Sequence, residues 1–142
     1  MTADVEKEKI VLLVEDNPFD VLLTRRALAK LDIAHQLIIA EEGAEALEYL
    51  FKHNTDEQPI KNLPDLVLLD LKMLGIDGFE VLKRIRSNEK TRLLPVVIIT
   101  SSNEETDVNE ANRFGATDYY VKPVDANEYG KMIVAVVSKY FT

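Results

Sequence analysis

Five side chains that could carry chemistry each follow an apolar run of the sequence: Glu15, Asp16, Asp70, Thr100 and Lys122. Three carboxylates in one crevice repel each other, so they need a cation or at least one raised pKa. Oxygen ligands without His or Cys suit a hard ion such as Mg²⁺. Together with an ammonium and a hydroxyl group, they predict phosphoryl transfer, with Asp70 as the nucleophile and the cations neutralising the phosphoryl oxygens.

Each of these residues also has an ordinary structural explanation. Asp and Thr at strand ends often cap helices or form turns. One such residue alone would be assigned to that role. Five suitable residues after four apolar runs, in this order, favour a shared functional site instead.

The apolar runs predict the strands that must position these side chains. Residues 66–70 form a continuous apolar run closed by a carboxylate, which is typical of a strand buried on both faces. Ligands of open parallel sheets bind beyond the carboxyl ends of the strands. The predicted strands are 9–14, 36–40, 66–70, 96–100 and 119–121.

The segments between the strands predict five helices. Asn17 and Pro18 are suited to begin the first helix, which extends to about Leu31, and Gly78 begins the third. Asn103 is a candidate cap for a fourth helix with few apolar residues, which could shift at little cost. A strongly amphipathic fifth helix begins near Asn127.

Alternating strands and helices predict an α/β fold with a doubly wound, five-stranded parallel sheet. Right-handed crossovers favour the flavodoxin-like strand order 2-1-3-4-5. In that order strands one and three are neighbours. Glu15 and Asp16 would then lie beside Asp70.

The composition narrows the function classes. The 142 residues predict one domain over 9–142, a solvated tail over 1–8 and no output domain. A net charge of -8 argues against binding nucleic acid or an anionic membrane, and the absence of Cys excludes thiolate chemistry. Without a membrane-span run or a signal peptide, a cytoplasmic protein is expected. His35 and His53 are more typical of surface positions than of a metal site.

Several motifs match one family together. They are VLLVEDNP at 11–18, PDLVLLDLKM at 64–73, IDGFEVLKRIR at 76–86, LPVVIITSS at 94–102 and GATDYYVKPV at 115–124. Over Lys9 to Phe141 the chain resembles a receiver domain of two-component response regulators, the CheY-like family. The resemblance implies a phosphoacceptor signalling protein that phosphorylates and dephosphorylates only itself.

The resemblance also implies a role for each matched residue. Asp70 would accept a phosphoryl group from a sensor histidine kinase or a phosphotransfer protein. The phosphorylated protein would then bind a different downstream protein target, or pass the phosphoryl group on. Thr100 would bond the phosphoryl group and Lys122 would pair with it. Tyr119 would follow Thr100 and alter the surface of helix four, strand five and helix five. The bond between Lys122 and Pro123 would be cis.

The same resemblance implies the metal site and shows two departures. Glu15, Asp16, Asp70 and the backbone carbonyl of Lys72 would hold Mg²⁺ or Mn²⁺. The Lys72 side chain could interact with the phosphoryl group and change its lifetime. Many receivers have Pro where this chain has Leu74, so the loop is expected to be less rigid. Ser102 offers no charge to position water.

Within the family, the long connection over 54–64 and the EDNP opening resemble regulators that partner bacterial phytochromes. Several of those self-associate through the face of helices four and five. Val134 and Phe141 would suit a homodimer there, or simple edge packing.

Three other functions fit the sequence less well. An aspartate-nucleophile phosphatase needs an acid two residues after the nucleophile, where this chain has Lys72. A flavin or dinucleotide binder needs a Gly-rich or hydroxyl-rich loop after its first strand, where this chain has Glu15 and Asp16. A receiver-like module that works without phosphate typically lacks an acid, the Asp or the Lys, and none is missing here.

Overall fold

A five-stranded parallel sheet in the order β2-β1-β3-β4-β5 organises the chain, as the sequence predicts. The computed structural model describes residues 8–51 and 63–141, so most of the predicted tail and of the 54–64 connection lies outside the described residues, as does His53. The strands are β1 Lys9–Val14, β2 His35–Ala40, β3 Leu66–Leu69, β4 Val96–Thr100 and β5 Asp118–Val121. The helices are α1 Pro18–Leu28, α2 Gly43–Phe51, α3 Gly78–Ser87, α4 Glu105–Arg113 and α5 Ala126–Phe141.

The central strands β1, β3 and β4 are apolar on both faces because helices cover both sides of the sheet. On one face, α1 and α5 pack over Leu13, Leu68 and their neighbours. On the other face, α2, α3 and α4 pack over Leu12, Val67 and their neighbours. The sheet is therefore held rigidly between two cores, and its carboxyl edge is a fixed platform.

Helix starts agree with the sequence only in part. The Asn17 side chain accepts hydrogen bonds from the N–H groups of Phe19 and Asp20, so the predicted cap of α1 is confirmed. α1 ends at Leu28 rather than near Leu31, because tighter turn bonds follow it. The predicted Asn103 cap is wrong, since Glu104 precedes α4 without a side-chain cap bond.

The two last helices are held very differently. α5 buries Tyr129, Ile133, Val136 and Val137 against the core. In α4 the buried residues are Asp107 and Ala111, which confirms the expected weak apolar anchoring.

The C-terminal end of α4 has its own anchors. The Arg86 side chain of α3 donates to the carbonyl of Gly115 at 2.8 Å and to the hydroxyl of Thr117 at 3.3 Å. The Phe114 ring packs edge-on against Phe79, with centroids 6.0 Å apart. These contacts fix the C-terminal end of α4, which is followed by hydrogen bonds between Thr117 and Val96 at the start of β4.

The bond between Lys122 and Pro123 is trans, because the described residues contain no cis peptide bond. The expectation of a cis bond is therefore wrong for this structure. Trans is the lower-energy form of such bonds by about 0.5–1 kcal/mol. The Lys122 N–H continues the β4–β5 pairing by donating to the carbonyl of Thr100 at 2.8 Å.

Among the helices of residues 8–51 and 63–141, none has both the length and the apolar character that crossing a bilayer requires.

Candidate functional site

Three predicted acids meet at the carboxyl edge of the sheet. Val14 pairs with Leu69, so Glu15 and Asp70 follow at the ends of adjacent strands. The Asp70 N–H donates to the carbonyl of Val14 at 3.0 Å. Carboxylate oxygens of Glu15, Asp16 and Asp70 all lie within 4.8 Å of one another.

The loop after β3 is bound to two of these acids. The Lys72 N–H donates to Asp70 Oδ1 at 3.2 Å, and the Leu74 N–H donates to Asp16 Oδ2 at 3.4 Å. Gly78 begins α3 directly against this loop, and a Cβ there would lie 2.3 Å from the Asp70 carbonyl oxygen. Only a glycine allows the two backbone segments to approach this closely. Gly78 therefore lets the start of α3 pack directly against the Asp70 peptide.

Lys122 contacts three carboxylates at once. Its Nζ lies 2.6 Å from Glu15 Oε1, 2.8 Å from Asp20 Oδ2 and 3.0 Å from Asp70 Oδ2. We name Glu15, Asp16, Asp20, Asp70 and Lys122 the carboxylate pocket. Asp20 is a member that the sequence analysis missed, although its place in the first turn of a helix that follows β1 was a signal.

The electrostatics of the pocket favour an added cation. Burial, and then the nearby charge of Asp70, raise the pKa of Glu15 to about 7, although Lys122 counteracts both. Burial alone would lower the pKa of Lys122, but hydrogen bonds to Asp20 and Glu15 and the charge of Asp70 outweigh it and raise this pKa. Lys122 is therefore a permanent positive charge, and one ammonium serves three carboxylates.

The hydroxyl side of the edge is less satisfied. Thr100 is fully buried at the end of β4, and its Oγ1 has no hydrogen-bond partner among the described residues. Tyr119 is half-buried on β5, and its hydroxyl donates to the carbonyl of Ser102 at 2.8 Å. A buried hydroxyl without a partner destabilises the fold, so such a group invites a functional explanation.

The Lys72 side chain contacts α4. Its Nζ lies 3.1 Å from Asp107 Oδ2, and the Ser102 hydroxyl donates to the same oxygen at 2.5 Å. Asp107 is a second residue that the sequence analysis missed, because an acid in the first turn of a polar helix is common.

The acid cluster fits a hard divalent cation. Three carboxylates supply oxygen ligands, and no His or Cys is part of the cluster. Asp16 is exposed whereas Glu15 and Asp70 are buried, so an ion could keep waters on one side. The hydrogen bond from the Lys72 N–H to Asp70 keeps the backbone of Lys72 next to these acids.

A family model for the response regulator receiver domain matches residues 11–134. The chain belongs to this family. It is 33% identical over 138 residues to the response regulator Rcp1 of Synechocystis sp., covering 97% of this chain and 92% of Rcp1.

Two solved structures are similar over almost the whole chain. The phosphorylated cyanobacterial phytochrome response regulator RcpA has a TM-score of 0.88 and 29% identity, covering 96% of each chain. The Mn²⁺-bound form of Rcp1 has a TM-score of 0.82 and 34% identity, covering 92% of each chain. The chain is thus a receiver-type signalling protein rather than a conventional enzyme, and it is similar to phytochrome response regulators.

Proposed function

We propose that Asp70 accepts a phosphoryl group from a phosphohistidine of a sensor kinase or of a phosphotransfer protein. A carboxylate oxygen of Asp70 bonds to phosphorus while the P–N bond breaks, and its electron pair stays on the imidazole nitrogen. The observation that carries this proposal is the position of Asp70 between Lys122 and two further carboxylates. It supports in-line attack next to fixed positive charge.

Glu15, Asp16, Asp70 and the backbone carbonyl of Lys72 are proposed to hold Mg²⁺, or Mn²⁺ as in the Rcp1 structure. When bound, the ion offsets the charge of the phosphoryl oxygens and of the clustered acids. Lys122 pairs with a phosphoryl oxygen, and the free hydroxyl of Thr100 donates to another. Dephosphorylation of Asp70 by water then completes a cycle that acts on this protein alone.

The response is proposed to leave through the surface of α4, β5 and α5. Thr100 and Tyr119 are the switch residues, since Thr100 has an unused hydroxyl and Tyr119 is half-buried on β5, the strand paired with β4. That surface would change a downstream protein partner or form a homodimer. Val134 and Phe141 are half-buried against the core, so they contribute only part of their surface to a dimer.

The similarity to RcpA supports a histidine kinase of the phytochrome type as the phosphoryl donor. A receiver that is phosphorylated by such a kinase would work in the cytoplasm, where the kinase domain and ATP are found. Direct contact with nucleic acid or with a membrane is not part of this proposal, because the net charge is -8.

The test supplies Mg²⁺ and acetyl phosphate and measures the mass of the intact protein. We expect the wild type to gain one phosphoryl group and Asp70→Asn to gain none. The matched control is Asp77→Asn, because Asp77 caps α3 close to the site and Asn caps equally well. No gain in the wild type, or an equal gain in Asp70→Asn, would refute the assignment.

A further inference from the structure

The contacts of Lys72, Asp107 and Ser102 join two parts of the site that are far apart in sequence. Lys72 lies two residues after Asp70, and its ammonium is 3.1 Å from Asp107 Oδ2 in the first turn of α4. The Ser102 hydroxyl donates to that same oxygen at 2.5 Å. We name these three residues the Lys72–Asp107 tie.

The tie is a large part of what holds the start of α4. Asp107 is only 7% exposed, and Ala111 is the other buried residue of that helix. A nearly buried carboxylate needs partners, and Lys72 and Ser102 supply them. The Ser102 hydrogen bond and the Lys72 charge hold the pKa of Asp107 below its ordinary value, although burial opposes them.

The tie also contacts both the phosphoacceptor loop and the switch tyrosine. The Lys72 N–H is bonded to Asp70 Oδ1 at 3.2 Å, so residue 72 is next to the group that would carry phosphate. The Ser102 carbonyl accepts the Tyr119 hydroxyl at 2.8 Å. Any change in the position of Asp107 therefore reaches Tyr119 through one residue.

Phosphorylation of Asp70 would set up a competition for the Lys72 ammonium. A phosphoryl group carries about 1.5–2 negative charges at neutral pH, more than the single charge of Asp107. The Lys72 side chain is 56% exposed and has a flexible stem, so it can move without disturbing the core. Of the two anions, the phosphoryl group would be the stronger one.

We propose that Asp107 is a positioning residue that holds Lys72 on α4 in the unphosphorylated protein, and that a phosphoryl group on Asp70 draws Lys72 away and frees the start of α4. The inference rests on the proposed role of Asp70. It assigns Lys72 a part in transmitting the signal as well as a backbone part in metal binding.

The test measures amide hydrogen exchange of residues 105–113 in the intact chain, with Mg²⁺ present, before and after acetyl phosphate is added. In the wild type we expect α4 to exchange about two- to fivefold faster after phosphorylation, the factor that corresponds to loss of a half-exposed ion pair. In Asp107→Asn and Lys72→Gln, exchange should be fast before phosphorylation and change little after it. Lys72→Arg keeps the cation and should restore the response.

Glu105→Gln is the matched control, since it removes an exposed carboxylate from the same turn of α4. It should respond like the wild type. A purely structural role for Asp107 predicts faster exchange in both states with an unchanged ratio, and that result would overturn the inference. An α4 that does not respond in a wild type that gains phosphoryl mass would overturn it too, while leaving the function of Asp70 intact. No gain of mass would refute the function itself.

Discussion

The carboxylate pocket and the hydroxyl side of the same sheet edge are built in opposite ways. In the pocket, the Lys122 ammonium makes three contacts of 2.6–3.0 Å with carboxylates. On the hydroxyl side, Thr100 is completely buried, and its hydroxyl has no hydrogen-bond partner among the described residues. The helix beside Thr100 begins without a side-chain cap, whereas α1 beside the pocket is capped by Asn17.

This difference separates preparation from response. Groups that must receive a phosphoryl group benefit from being fixed in advance, because no reorganisation is then needed during the reaction. Groups that must report its arrival need an alternative that becomes better afterwards. Thr100 has that alternative, since a new acceptor oxygen would satisfy its hydroxyl.

Replacing Lys122 with Met should break the pocket and have the largest effect. Glu15, Asp20 and Asp70 would lose their common partner, and we expect the free energy of unfolding in EDTA to fall by roughly 3 kcal/mol. Mg²⁺ should restore part of this loss. Urea denaturation with and without Mg²⁺ measures both values.

Lys131→Met is the matched control for Lys122→Met, because the Lys131 pair with Glu128 is exposed. It should cost less than about 1 kcal/mol. Equal losses in the two variants would show that the pocket contributes no more than a surface ion pair.

Replacing Gly78 with Ala should move the floor of the pocket. The new Cβ would clash with the Asp70 carbonyl at 2.3 Å, so the start of α3 must shift, at a cost of about 1–3 kcal/mol. Thermal unfolding measures the cost. Gly130→Ala in α5 meets nothing within 4 Å and should stabilise by about 0.5–1 kcal/mol, so a loss there would contradict the steric reasoning.

Replacing Thr100 with Val tests the hydroxyl side. Removing a buried hydroxyl that has no partner should raise the free energy of unfolding by about 1 kcal/mol in the unphosphorylated protein. The control is Thr24→Val, because the Thr24 hydroxyl bonds the Asp20 carbonyl at 2.8 Å and the Tyr129 hydroxyl at 3.1 Å. Thr24→Val should be destabilised by a similar amount. If urea titrations show both variants stabilised or both destabilised, the expected difference between the two hydroxyl groups is wrong.

Replacing Tyr119 with Phe should give the smallest effect. It removes one half-buried hydrogen bond to the Ser102 carbonyl and should cost about 0.5–1 kcal/mol. Denaturation monitored by circular dichroism measures this change. A loss of stability as large as that of Lys122→Met would show that the Tyr119 hydrogen bond is essential to the fold, and would contradict its role as a contact that can be exchanged.

The sequence predicts the sheet and the acid cluster well, because both follow from apolar runs. β1 and β4 have the predicted bounds, and the strand order is the predicted one. Runs that are buried on both faces predict central parallel strands, and whatever follows them is carried to the same edge.

The residues that the sequence analysis missed depend on contacts between distant segments. Asp20 has the appearance of an ordinary first-turn acid, and its bond to Lys122 spans 102 positions. Asp107 likewise meets Lys72 only because α4 packs beside the loop after β3. The Asn103 cap failed since the Ser102 hydroxyl accepts the Glu104 N–H at 3.3 Å. Local propensity does not contain such competition.

The two ends of α4 are held by different kinds of contact. Arg86 and the ring of Phe114 attach its C-terminal end to α3, whereas the ion pair of Lys72 and Asp107 holds its first turn. A nine-residue helix is about 13.5 Å long. If the first turn is released as proposed, the helix would therefore pivot about its fixed end near Phe114. Under that proposal the displacement would increase along the helix toward Glu105. A partner protein that distinguishes the unphosphorylated from the phosphorylated state would then need to contact the first turn of α4.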